Sequence, residues 1–197
     1  MSYLTAIFYF FFTVITMNTL LRPYLGIYPS INARVFIDPS SVVIGDVRIA
    51  DDVSIWPLSV LRGDVNYISI GARTNIQDGS VLHVTHKSAS NPEGNPLIIG
   101  EDVTIGHKVM LHGCTIGNRV LVGMGSIVID GAIVEDDVII GANSLVTQGK
   151  RLESGYLYTG SPAKAIRKLT DAELSHLRYS ANNYVEWKNN YLASDNM

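Results

Sequence analysis

Ile116–Leu145 reads IGNRVL VGMGSI VIDGAI VEDDVI IGANSL: five consecutive rows of six residues, each opening on Ile or Val, with Val, Ser or Ala in fifth place. Counting outward in this phase gives earlier rows at Ile37, Val43, Ile49, Ile55 and Leu61, then at Ile70, Ile76 and Leu82, then at Ile99, Ile105 and Leu111. That makes sixteen rows ending at Ile140, and in fifteen of them the fifth residue is Val, Ser, Thr or Ala; His86 is the exception. An aliphatic residue with a small one four places later suits a triangular coil of three rows, about eighteen residues per turn. No row can bury its apolar side alone, so the rows are stable only as a stack. A sandwich of strands alternating with period two would not hold this phase over sixteen rows. The chain is therefore expected to be an all-β solenoid.

Composition agrees with one domain of this kind: 197 residues, 47 % of them apolar, can bury a core. A net charge of −3 offers no electrostatic case for nucleic acid. The lone cysteine, Cys114, excludes an internal disulfide and fits a reducing, cytoplasmic compartment. Its plainest role is that of a small apolar residue beside a turn. From Met1 to Leu21 there is no charge, and Phe8–Phe12 reads FYFFF. A membrane anchor would need about twenty apolar residues, and Thr5, Thr13, Thr16, Asn18 and Thr19 dilute this run. A secretory signal would open on basic residues, and none precede it. The favoured reading is that Met17 is the working start and residues 1–16 are an apolar extension from an upstream one. The β-helix then occupies 17–162, with a loop at 88–98 containing Pro92, Gly94 and Pro96. Ser161-Pro162 stops the repeat, and Thr170-x-x-Glu173 forms a capping box that opens a C-terminal helix within 163–197. Leu174, Leu177, Ala181, Tyr184 and Lys188 fall at helical spacing, with Trp187 and Tyr191 beside them, so the helix can lie along the coil.

Register places the chemistry. Rows at Leu61, Leu82 and Leu111 fall on one face of successive coils, and their second residues, Arg62, His83 and His112, form a column. Coils about 4.8 Å apart let two imidazoles converge on one zinc ion with bonds of about 2.0–2.1 Å. On the next face, Asp78 and His107 form a second column. His107 lies five residues from His112, roughly 15 Å of extended chain, too far for one protomer to bring both to one ion. A second subunit must then supply the third ligand, and a triangular prism suggests a closed ring of three. Gln77 and Asp78 stand between the columns as groups that can fix imidazole tautomers. Three histidines leave a tetrahedral zinc one open position, where water can ionise near neutral pH and attack a small electrophile.

Arg62-Gly63-Asp64, Asn75-Ile76-Gln77-Asp78, His83 and His107-x4-His112 together resemble the signature of the γ-class carbonic anhydrases, whose relatives include ferripyochelin-binding and hexapeptide-transferase proteins. The resemblance covers about residues 17 to 192. It implies a left-handed parallel β-helix, a homotrimer with metal between subunits, and reversible hydration of CO2 by metal-bound hydroxide. It also implies that His83 and His112 come from one subunit and His107 from its neighbour. Arg62 and Asp64 resemble residues of the subunit contact, supported by Asn75 and Asp78. Gln77 resembles the group that orients the bound water, and Asn183 matches a further active-site asparagine. The family's two glutamates, base and proton shuttle, are replaced by Val65 and His86. His86 can relay protons with a pKa near 6.5, yet the lost carboxylate argues against efficient hydration. The metal is expected to be zinc, with iron or cobalt accepted by the same ligands. Two alternatives remain open: an acyltransferase of the same repeat, which leaves the three histidines unexplained as a set, and a non-catalytic metal-binding scaffold. Fold alone does not choose among them.

Overall fold

The computed structural model describes residues 20–194; the apolar extension at 1–16 lies outside them. The described residues form a parallel β-solenoid of about eight turns with one C-terminal helix, and its three faces follow the six-residue count. The first stacks Val43, Leu61, Leu82, Leu111, Val128 and Val146 in register. The second stacks Ile49, Ile70, Ile99, Ile116, Val134 and Leu152. The third runs from Ile37 through Ile55, Ile76, Ile105, Val122 and Ile140 to Tyr158. These residues fill the prism, almost all fully buried, and each aliphatic one contributes on the order of 1.5–3 kcal/mol by leaving water.

Beyond Ile140, which opens the last row counted from the sequence, further rows open on Val146, Leu152 and Tyr158. Lys150 and Tyr156, which are not small, stand where the fifth place would be. Lys164–Lys168 then pairs antiparallel with Tyr156–Thr159 and covers that edge with exposed side chains, closing a row of unpaired backbone groups.

Three coils break the count where the first face meets the second. Val65, expected inward, is 42 % exposed. The pairing passes from Gly45–Gly63 to Val47–Ile68, so three extra residues loop out and Ile68 takes the inward place. One coil on, His86 is exposed and Leu97 pairs with Ile68. In the next coil the chain is one residue short, and Cys114 faces inward where Thr115 was expected. The excursion after Leu82 closes at Thr85, which exchanges backbone hydrogen bonds with Asn95 at 2.9 and 3.1 Å.

Helix α1 spans Asp171–Ser194. The expected capping box forms: Glu173 N–H donates to Thr170 Oγ1 at 3.3 Å and Thr170 N–H donates to the Glu173 carboxylate at 2.9 Å. The helix lies along the third face, burying Leu177 and Ala181. Phe36 and Trp56 of the coil meet Tyr184 and Tyr191 at centroid distances of 5.2–5.6 Å. Lys188 buries its ammonium as well as its stem, donating to Asp52 Oδ1 at 2.9 Å. Asp52 also accepts from Arg34 at 2.8–3.2 Å.

Candidate metal centre

His83 and His112 pair directly in register on the first face, their ring centroids 5.0 Å apart. His83 Nδ1 faces His112 Nε2 at 3.0 Å. The remaining nitrogen of each ring meets a carboxylate: His83 Nε2 lies 3.0 Å from Asp64 Oδ1, and His112 Nδ1 lies 3.1 Å from Asp130 Oδ2. Neutral rings that donate to those carboxylates turn two bare lone pairs toward one another, which is repulsive unless a cation lies between them. Two ligands of a tetrahedral zinc stand about 3.3 Å apart at bond lengths of about 2.0–2.1 Å, so the donor set fits such an ion.

The carboxylates are themselves held. Arg62 pairs with Asp64, and Thr85 donates its hydroxyl to Asp130. Burial alone would raise both carboxyls, but Arg62 and His83 outweigh it at Asp64, and Thr85 and His112 outweigh it at Asp130. Both are held below the usual carboxylate range. Burial, followed by the nearby Arg62 charge and by His112, pushes the His83 imidazole down against the opposing pull of Asp64. The lowered value favours the neutral ring that a metal needs. Gly113 lets the chain turn immediately after His112: at φ +52° a side chain there is strained, and an added Cβ would lie 2.9 Å from Asn95 Cβ and Thr85 Oγ1.

His107 lies around the corner on the third face with its side chain 45 % exposed; its Nδ1 meets Asp78 Oδ2 at 2.9 Å, which leaves Nε2 facing outward from that bond. Among the described residues, one protomer groups no three His, Cys, Asp or Glu side chains for a metal. His107 borders two cavities against α1, of about 380 and 310 Å³: the first is lined by Trp56, Asp78 and Tyr184, the second by Gln77, Met124 and Tyr184. Gln77 is almost buried and donates Nε2–H to Asn75 Oδ1 at 3.1 Å, which leaves its Oε1 as acceptor on the cavity side. Asn75 has no exposed surface; its side chain accepts from Gln77 and donates to Thr104 Oγ1 and the Val103 carbonyl. Asn183 is half-buried on α1 beside Tyr184 and lines neither cavity. His86 points into solvent on its loop.

Sequence reasoning overlooked Asp130 and Thr85. Asp130 lies on the next coil one place beyond the residue in line with His112, so the six-residue count does not put it in the histidine column; that Thr85 reaches it depends on the path of the excursion.

The model of bacterial transferase hexapeptide repeats (six repeats) matches residues 113–148. A solved hexapeptide transferase family protein from Anaplasma phagocytophilum superposes with a TM-score of 0.82 at 44 % identity, covering 89 % of this chain and 99 % of that one. A carbonic anhydrase of Geobacillus kaustophilus is 42 % identical over 167 residues, 85 % of this chain and 88 % of that protein. With the three-histidine signature on such a solenoid, the chain belongs to the γ-carbonic anhydrase-like family of hexapeptide-repeat proteins. Within that family it is similar to protein YrdA of Escherichia coli, 74 % identical over 180 residues, 91 % of this chain and 98 % of that protein.

Proposed function

We propose that the chain is a metal-dependent carbonic anhydrase-like enzyme interconverting CO2 and bicarbonate in the cytoplasm. Zinc, or iron or cobalt in its place, is held by His83 and His112 of one protomer and His107 of the partner subunit, in a homotrimer. The observation that carries this reading is the pair of facing imidazole nitrogens, His83 Nδ1 and His112 Nε2, each ring tethered behind by an aspartate. His107 has the same build, with Asp78 behind one nitrogen and the other open. Bound metal supplies Lewis acidity to a water molecule. Asp64, Asp78 and Asp130 hold the rings in their ligating tautomers, and the Gln77 carbonyl, its amide tied to Asn75, would accept a hydrogen bond from that water and so orient it. Proton export is the weak step, because Val65 offers no base and His86 is exposed on its loop.

The test is stopped-flow CO2 hydration on anaerobically purified protein of measured metal content, beside His107→Ala, His83→Ala and a mixture of the two refolded together. The expected result is activity that rises with imidazole buffer, is lost with metal in each variant, and partly returns in the mixture through sites that combine intact ligands. A His107→Ala protein that keeps metal and activity sinks the reading. Protection from heat by acetyl-coenzyme A, without metal, supports the acyltransferase alternative.

A further inference from the structure

We infer that Thr85 is a positioning residue for the metal centre, acting through Asp130 on His112, so that the loop after Leu82 is part of the site's support. This inference rests on the reading above. Thr85 donates its hydroxyl to Asp130 Oδ1, and the two Asp130 oxygens lie 3.2 and 3.1 Å from His112 Nδ1. One hydroxyl thus aims the carboxylate that fixes which nitrogen of His112 is bare. The two ligands of the first face are secured differently, since Asp64 behind His83 is held by a cation, Arg62, and Asp130 by a neutral hydroxyl.

Thr85 is in turn fixed from three sides. Its backbone pairs with Asn95 at the mouth of the excursion. Asn66, on the neighbouring inserted segment, donates Nδ2–H to the carbonyls of Thr85 at 3.1 Å and Glu93 at 2.9 Å, tying the two insertions together. Gly94 approaches so closely that a Cβ there would stand 2.4 Å from the Thr85 carbonyl oxygen. A mobile surface loop would need none of these. The geometry holds the hydroxyl in one place relative to Asp130, as a ligand tether requires.

The test compares Thr85→Val, which keeps the side-chain shape, with Thr85→Ser, which keeps the hydroxyl. Each is titrated with cobalt(II) against a competing chelator and followed by visible absorption. Thr85→Val is expected to bind cobalt about 10-fold or more weakly, with Thr85→Ser within about twofold of wild type. Circular dichroism should be unchanged without metal. If Thr85→Val does not fold, Asp130→Asn is expected to show the same weakening. Wild-type affinity in Thr85→Val, or in Asp130→Asn where it stands in, overturns the inference while the metal reading stands; so does a Thr85→Ser protein as weak as Thr85→Val. A wild-type protein that binds no cobalt overturns the metal reading itself.

Discussion

Replacing Lys188 tests what docks α1 on the coil. Its side chain is fully buried and its ammonium meets Asp52 at 2.9 Å, so two effects compete. Lys188→Ala removes three buried methylenes at about 0.8 kcal/mol each, a loss of about 2 kcal/mol. It also removes charged hydrogen bonds to Asp52 and Asn189, of about 1.5–3 kcal/mol each, but it relieves the ammonium of a burial cost of several kcal/mol. Asp52 is not stranded by the change, because Arg34 still donates to it and the side chain keeps 19 % of its surface in water. The charge effects thus largely cancel and packing decides. Lys188→Ala is expected to cost about 2–3 kcal/mol, and Lys188→Met, which refills the stem, under about 1 kcal/mol. Urea unfolding followed by tryptophan fluorescence measures both, since Trp56 packs against Tyr184 and Tyr191 of the helix. Equal destabilisation by Ala and Met would refute the reasoning and make the ion pair the dominant contact.

Three further outcomes are expected. Burial pushes the Cys114 thiol up to about 12, so it should resist a disulfide reagent at pH 8 and react fully in denaturant; rapid native labelling would contradict its inward place. Gly113→Ala, at φ +52° with neighbours at 2.9 Å, should cost more than about 1 kcal/mol and weaken cobalt binding, and a neutral result in thermal melts would show that the turn can yield. The Asp52 carboxyl is lowered from 3.8 to about 2, first by Arg34 and then, against burial, by Lys188. A depressed folded value means that this stability is present above the unfolded pKa and is lost as pH falls toward about 2. Acid unfolding of Arg34→Gln should therefore begin at higher pH than that of wild type, and an unshifted transition counts against the assignment.

The coil and the histidine column were legible because both follow from a local period: an aliphatic residue every six places can only be buried by stacking, and stacking brings residues one coil apart into line. His83 over His112 and Asp78 beside His107 needed nothing more than that count. The count failed at Val65, His86 and Thr115, where inserted or missing residues move Ile68, Leu97 and Cys114 inward. An insertion's length is visible in a sequence, but the point at which the chain re-enters the stack is chosen by pairing with the coils on either side.

What the amino-acid order determined by itself is thus the prism, its three faces, the capped helix and the alignment of two imidazoles, because all of these are periodic. Only the tertiary structure decided what stands behind the imidazoles and under the helix. Thr85 reaches Asp130 across 45 positions, and Lys188 pairs with an aspartate from the second half of the first fifty-odd residues, Asp52. Such contacts arise where irregular excursions fold back on a regular stack, and no repeat encodes their end points.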